Sequence, residues 1–227
     1  MNALQGIASE FLPNRYHYYY ARSKLGSDPL YGGVADSLRQ TTAPLLDLGC
    51  GIGLLSHALP RLGVQLDYAG VDNDEGKIES ARLATARVGR TNARFDVVDL
   101  ANAFPQHRGS VAILDMLQFL TPVQRSHLLA RSAASLTPDA RLVIRTGLAD
   151  ASWRYRVTRA VDVFANAMRW MNAPPKTYPT RDALESELAS FGLTVTSTPL
   201  WGRTPFNNWL VVAKPPSGNP GQGRTVE

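Results

Sequence analysis

The chain has very little cysteine, histidine or lysine, and each shortage removes a class of protein. Cys50 is the single cysteine of 227 residues, so no internal disulfide can form and a disulfide-stapled secreted scaffold is excluded. No apolar run approaches the roughly 20 residues needed to cross a bilayer. The opening Met1-Asn2-Ala3-Leu4-Gln5 shows neither a basic leader nor an apolar stretch, so a cytoplasmic location is expected. The four histidines stand apart from the acids, and no metal site is expected. Of 24 basic residues four are lysine and the other twenty arginine, against 19 acids, for a net charge of +5. That excess admits an acidic partner, a lipid surface or a carboxylate substrate, or simply reflects an arginine-rich composition. With 44% hydrophobic and 19% charged residues the chain can bury a proper core, which excludes a disordered chain, a fibre and a coiled-coil rod.

From Pro44 onward, strand and helix signals alternate. Pro44-Leu45-Leu46-Asp47-Leu48 is a short apolar run that ends at glycines, as a buried parallel strand does. Leu54, Leu55, Ala58, Leu59 and Leu62 carry a helical pattern closed by Gly63. Further strands are predicted at 65–71, 94–98, 111–114 and 141–144. A helix enters through Asp72-Asn73-Asp74-Glu75, whose acids suit the positive end of its dipole. Another opens at Thr121-Pro122, with a cap and a proline in the first turn. After Leu148 the rhythm changes to helices at about 152–171 and 180–191, then strands at 193–198 and 208–213 joined as an antiparallel hairpin. The expectation is one α/β domain over 1–214, Rossmann-like. Its seven-stranded, mostly parallel sheet has helices on both faces. Residues 1–40 are read as an N-terminal helical lid, 148–191 as a helical insertion and 215–227 as a flexible tail. His57, His107 and His127 read as solvated surface histidines.

In open α/β sheets ligands bind beyond the carboxyl ends of the strands, where strand order reverses. Here the first strand runs into Gly49-Cys50-Gly51-Ile52-Gly53, three alternate glycines that allow a tight bend and close approach of a ligand. The helix behind them offers free N–H groups, and the next strand ends on Asp72, a carboxylate placed to accept ribose hydroxyls. The dinucleotide pattern G-x-G-x-x-G fails in both registers, because Leu54 or Ser56 occupies the sixth position; no Gly-Lys-Ser/Thr follows for a phosphate loop.

Asp47-Leu48-Gly49-Cys50-Gly51-Ile52-Gly53, with its acid two residues before the first glycine, resembles the class I S-adenosylmethionine-dependent methyltransferases over residues 44–147. That resemblance implies S-adenosyl-L-methionine as cofactor and methyl transfer as activity. It assigns Asp47, Gly49, Gly51 and Gly53, with Cys50 as loop filler, to the methionine portion. It assigns Asp72 and Asn73 to the ribose, and Asp99 and Leu100 to the adenine. Asp115 and Met116 would border the methyl group and acceptor. The acceptor would be a small organic molecule met by Tyr19, Tyr20, Arg22, Lys24, Gln118 and Arg145, with Tyr16-His17-Tyr18-Tyr19-Tyr20 as a lid whose π faces suit a sulfonium. Candidate bases are His17, Tyr20 and Asp115.

No Asn/Asp-Pro-Pro-aromatic motif follows the fourth strand, so no nucleic-acid acceptor is expected. The aromatic and basic stretch from Trp153 to Trp170 suits either an acidic or lipid-like acceptor, peripheral contact with an anionic membrane, or plain packing. Tyr20-Ala21-Arg22-Ser23-Lys24-Leu25, Ile144-Arg145-Thr146-Gly147 and Thr204-Pro205-Phe206-Asn207-Asn208 look like methyltransferases of bacterial aryl-polyene and related pigment pathways. This implies O-methylation of a phenolic or polyketide/fatty-acid-like precursor. Two other readings stay open: a catalytically silent S-adenosylmethionine-binding partner protein, and a nicotinamide oxidoreductase.

Overall fold

The computed structural model describes residues 4–158 and 177–216. A 3-10 turn (Ile7–Phe11) leads into α1 (Arg15–Ser27) and α2 (Leu30–Leu38), the two helices of the expected N-terminal lid segment. There follow β1 (Leu45–Leu48), α3 (Leu54–Arg61), β2 (Tyr68–Asp72), α4 (Glu75–Arg87), β3 (Ala93–Val97) and β4 (Ser110–Leu114). A second 3-10 turn (Leu117–Phe119), α5 (Pro122–Ser135), β5 (Leu142–Gly147), α6 (Arg181–Ser190), β6 (Thr194–Pro199) and β7 (Asn208–Lys214) complete the described chain.

Four of the described helices, α1, α4, α5 and α6, start at a residue whose side chain caps them. Asp74 accepts from the Lys77 N–H at the head of α4, and Thr121 and Gln124 close a reciprocal capping box at α5. Gly63 and Gly89, both with positive φ, end α3 and α4 as left-handed C-terminal residues.

The seven strands form one sheet in the order β3-β2-β1-β4-β5-β7-β6. All neighbours are parallel except β7, which pairs antiparallel with both β5 and β6. The expected hairpin is present, with its second strand inside the sheet and its first at the edge. β5 runs to Gly147, three residues beyond the expected Ile144, because β7 supplies partners along that whole length, from Leu142 opposite Ala213 to Gly147 opposite Asn208. β1, β4 and β5 are buried almost throughout, as strands covered on both faces must be. One apolar layer, including Phe11, Leu38, Leu45, Ile78 and Phe95, lies on the side of α1–α4; the other, including Leu46, Leu48, Ile113, Leu129 and Leu188, lies on the side of α5 and α6. The chain order reverses between β1 and β4, which places the ligand crevice beyond their carboxyl ends.

The predicted helix at 152–171 is seen as helical over 153–158, and its remainder, with Arg159, Val163, Phe164, Met168, Arg169 and Trp170, lies outside the described residues. The expected tail lies outside them from residue 217 onward. No described helix is long and apolar enough to cross a membrane.

The reading of His57 as a surface histidine is wrong. Its side chain is fully buried on α3, with Nδ1 2.5 Å from Glu10 Oε2 and Nε2 3.3 Å from the Thr85 hydroxyl, and Phe11 packs on the ring. Helical periodicity puts His57 between Ser56 and Ala58 on no distinct face; only the N-terminal segment folding back over α3 and α4 buries it. Arg61 reaches the other Glu10 oxygen at 3.1 Å, and Arg87 donates to the carbonyls of Glu10 and Leu12. This clasp fixes the start of α1. His107 is half-buried, with Nε2 2.8 Å from the Ser110 carbonyl, and His127 is exposed. Glu10→Ala strands the buried His57 ring nitrogen and should cost about 1–3 kcal/mol, measured as a fall in the urea midpoint.

Candidate cofactor and acceptor site

The bend after β1 takes the backbone through three left-handed positions, with φ of +77° at Gly49, +56° at Gly51 and +77° at Gly53. The Gly49 and Cys50 N–H groups donate to the Val71 carbonyl, tying the bend to β2. A side chain at Gly49 would lie 2.9 Å from Met116 Sδ, and one at Gly53 would lie 2.7 Å from the Phe95 ring. At Gly51 an added Cβ meets nothing within 4 Å, so that residue borders open space. The motif thus divides its labour: the outer glycines admit neighbouring side chains, and the middle one faces the crevice.

Asp72 ends β2 nearly buried. Its Oδ2 accepts from the Gly51 N–H at 2.9 Å and its Oδ1 from the Asp74 N–H at 3.0 Å. The acid expected to meet the ribose therefore holds the glycine bend and the head of α4, while each oxygen retains a spare lone pair. Asn73 beside it is exposed. Asp47, two residues before the bend, is 2% exposed, accepts from the Tyr68 hydroxyl at 2.5 Å through Oδ2, and has no partner on Oδ1. Cys50 packs under Gly70, and burial pushes its thiol well above the ordinary value, which suits a filler. Asp99 is exposed and caps the turn after β3 by accepting from the Ala101 N–H and the Asn102 amide, with half-buried Leu100 next to it.

The far side of the crevice is built on charge. Lys24 of α1 lies 2.9 Å from Asp28 and 3.1 Å from Asp115. Arg145 of β5, 4% exposed, donates to both Asp28 oxygens at 3.0 and 3.2 Å and to Asp115. Two cations and two carboxylates thus close a neutral group. Burial pushes the Asp115 carboxyl up, but Arg145 and Lys24 outweigh it and hold it at about 2. Asp115 is the one non-glycine residue with positive φ among those described, at 58°. Such backbone strain persists where surrounding contacts overdetermine it. Beyond it, Met116 covers Gly49, and Gln118 donates from its amide nitrogen to the Asp115 carbonyl at 3.0 Å, leaving its buried Oε1 without a partner.

α1 crosses the crevice. His17, Tyr20 and Lys24 share one face; His17 Nδ1 lies 2.7 Å from the Ser80 hydroxyl on α4, and Lys24 joins the charge group at the ends of β4 and β5. Burial lowers the His17 pKa, and burial raises that of Tyr20, to which Asp115 adds against Lys24. Tyr20 therefore keeps its proton at neutral pH. A carboxylate held at about 2 is a weak base, so of the three base candidates the electrostatics suit His17 alone. The structure does not bring Tyr19 or Arg22 to the crevice. Tyr19 is exposed against Tyr18, and Arg22 lines a separate groove of about 490 Å³ with Leu4, Gly6, Tyr18 and Leu25. Arg154, in the stretch read as an acceptor grip, a membrane contact or plain packing, sits between the Trp153 and Trp201 rings and donates to the Thr204 carbonyl, so it braces the β6–β7 loop.

Sequence reasoning missed Asp28 and Tyr68. Asp28 carried a signal, its i+4 spacing from Lys24; Tyr68 carried none, since its approach to Asp47 depends on strand register.

Residues 40–147 match a family model described as a methyltransferase domain. The chain is 25% identical over 142 residues to a carboxy-S-adenosyl-L-methionine synthase of Helicobacter pylori, covering 61% of this chain and 58% of that protein. It is 31% identical over 103 residues to a ubiquinone biosynthesis O-methyltransferase of a Bradyrhizobium species, covering 45% and 39%. The chain spans less than two thirds of the length of these curated relatives. A solved structure of magnesium protoporphyrin IX methyltransferase from Synechocystis PCC 6803 with bound SAH superposes with a TM-score of 0.62 at 18% identity, covering 82% of each chain. The match of residues 40–147 to a methyltransferase domain bears out the resemblance in the motifs, and the fold is that of the solved methyltransferase. S-adenosyl-L-methionine is the cofactor of that domain type, and the open space at Gly51, the unpartnered Asp47 oxygen and the spare Asp72 lone pairs fit it.

Two outcomes test this geometry. Gly53→Ala should lose about 1–2 kcal/mol from its left-handed backbone, and more from the Phe95 clash. Gly51→Ala should pay only the backbone cost yet weaken S-adenosylhomocysteine binding, because its methyl enters the open space; denaturation and calorimetry separate the two. Arg145→Met leaves the nearly buried Asp28 and the half-buried Asp115 to Lys24 alone and should cost up to about 3 kcal/mol in urea unfolding.

Proposed function

We propose that this protein transfers the methyl group of S-adenosyl-L-methionine to a hydroxyl of a small organic acceptor, of the phenolic or polyketide/fatty-acid-like kind. The observation that carries this reading is the crevice itself. Gly51, with open space beside it, and Asp72 stand on one side, Asp115, Met116 and Gln118 on the other, and α1 reaches from Ser80 to Asp115. A bound sulfonium supplies an electrophile that is already activated. The chain's own task is then to hold an acceptor oxygen in line and exclude water, and positioning of this kind contributes roughly 7–11 kcal/mol.

The charge group argues for the acceptor's chemistry. Lys24 and Arg145 are neutralised by Asp28 and Asp115, so neither is left for a carboxylate on the acceptor. The buried Gln118 Oε1 and the protonated Tyr20 phenol instead favour a neutral hydroxyl, oriented by hydrogen bonds. His17 can take the proton, a step worth about 10²–10⁴-fold.

A second reading follows from the curated relatives named as carboxy-S-adenosyl-L-methionine synthases: the cofactor itself would be the molecule altered. The paired state of Lys24 and Arg145 speaks against it, since an added carboxyl group would need a free cation.

Calorimetry with S-adenosylhomocysteine should show binding, and Asp72→Ala should weaken it by tenfold or more, about 1.4 kcal/mol. A screen of neutral phenols should show labelled methyl uptake that Tyr20→Phe and Lys24→Met reduce in kcat with little change in cofactor affinity. Binding without transfer to any acceptor would favour the silent partner. Nucleotide binding limited to nicotinamide dinucleotides would favour the oxidoreductase. Recovery of the cofactor heavier by one carboxyl group would favour the second reading.

A further inference from the structure

A groove of about 490 Å³ lies apart from the crevice, between the N-terminal 3-10 turn at Ile7–Phe11 and a second face of α1. That volume falls in the range of small-molecule sites. At 3.6 residues per turn, Tyr18, Arg22 and Leu25 stand about 130° round the helix from His17, Tyr20 and Lys24 of the crevice side. The floor is apolar: Leu4 and Ala8 pack against the core, and Leu25 is buried. Tyr18 and Arg22 bring a phenol and a guanidinium to it, and no described residue lining it is acidic. The Ser9 hydroxyl at its rim is spent on the Gly6 carbonyl at 2.6 Å.

Two observations mark the groove as more than a seam between packed elements. Arg22 has no ion pair or hydrogen bond among the described residues, whereas Lys24, two positions on, is held by Asp28 and Asp115. Gly26, one turn beyond Arg22, sits within α1, where glycine disfavours the helix relative to alanine. An added Cβ there would meet nothing within 4 Å, so no neighbour calls for the glycine. It keeps the groove open beside Arg22. Gly6, on the other side, borders open space as well.

The lining selects the occupant. Arg22 is the one cation among the described lining residues, which matches a single negative charge. Its planar guanidinium suits a carboxylate, held through two parallel hydrogen bonds. A phosphate dianion would leave charge unmet over an apolar floor. Leu4, Ala8 and Leu25 suit a hydrocarbon body, whose burial supplies the rest of the affinity. We propose that this groove is a second ligand site, for an organic monocarboxylate with an apolar body: the carboxylate pairs with Arg22, and the body lies on Leu4, Ala8 and Leu25. The site goes beyond the cofactor reading and does not depend on it. Its occupant touches both the N-terminal turn and α1, so it binds only their folded arrangement and stabilises it.

Calorimetric titration of the full chain with sodium octanoate, below its micellar concentration, should show saturable binding at one site per chain, with a Kd of about 1 mM or tighter. Neutral octanamide should bind at least about tenfold more weakly, and Arg22→Gln should remove that preference by weakening octanoate alone. Gly26→Leu should keep or raise the urea midpoint of the free protein, because leucine suits a helix, and should abolish octanoate binding by filling the groove. Saturating S-adenosylhomocysteine should leave octanoate binding intact. Mutual exclusion of the two would place octanoate in the crevice and overturn the second site. Equal affinity for octanamide, undiminished binding by either variant, or no binding up to about 10 mM would overturn it too. Inorganic phosphate binding as tightly as octanoate would overturn the ligand class. If S-adenosylhomocysteine itself does not bind, the cofactor reading falls, while the Arg22 and Gly26 outcomes still decide the groove.

Discussion

Leaving β1, the backbone must turn within a gap bounded by Met116 on one side and Phe95 on the other, while two of its N–H groups stay bonded to the Val71 carbonyl. Only glycine turns there without displacing a neighbour, since a Cβ at Gly49 or Gly53 would lie under 3 Å from those side chains. The rest of the site takes its position from this bend. Asp72 reaches the Gly51 N–H because the bend lifts it there, α3 begins at Gly53, and the empty side of Gly51 is the floor of the crevice. The site is thus an outcome of backbone sterics first and of charge second.

Charge then decides how the crevice is covered. The four-member group of Lys24, Asp28, Arg145 and Asp115 joins α1 to the ends of β4 and β5, where burial would penalise any member left alone. At the other end of α1, the clasp of Glu10 with His57 and Arg61 and the contact of His17 with Ser80 hold it against α3 and α4. The helix is pinned at both ends and spans the crevice between them. Neutrality of the group matters for chemistry as well, because cations that look available in the sequence are already satisfied.

Asp47 and Asp115 show how environment separates two carboxyls of one crevice. Asp115 faces two cations and stays ionised; Asp47, buried, faces the Tyr68 phenol and the Asp72 carboxylate, and its pKa is pushed up. Nothing in the residue type distinguishes them. One stabilises the frame, and the other keeps a buried oxygen without a partner.

Strand and helix order, the glycine bend, the acids at successive strand ends, the caps of α4 and α5 and the C-terminal hairpin were all legible in the sequence, because each depends on neighbours a few residues apart or on a period of two or 3.6 residues. So was the family resemblance, carried by Asp47 through Gly53 and by Asp72. What only the tertiary structure decided are the pairings between distant residues: His57 with Glu10, Lys24 and Arg145 with Asp28 and Asp115, Arg154 with its two tryptophans, and Tyr68 with Asp47. These depend on strand register and on where α1 comes to rest, which local patterns do not encode. The sequence therefore determined which chemistry-bearing residues sit at the sheet's ligand edge, and the fold determined which of them are spent on one another and which remain free for a ligand.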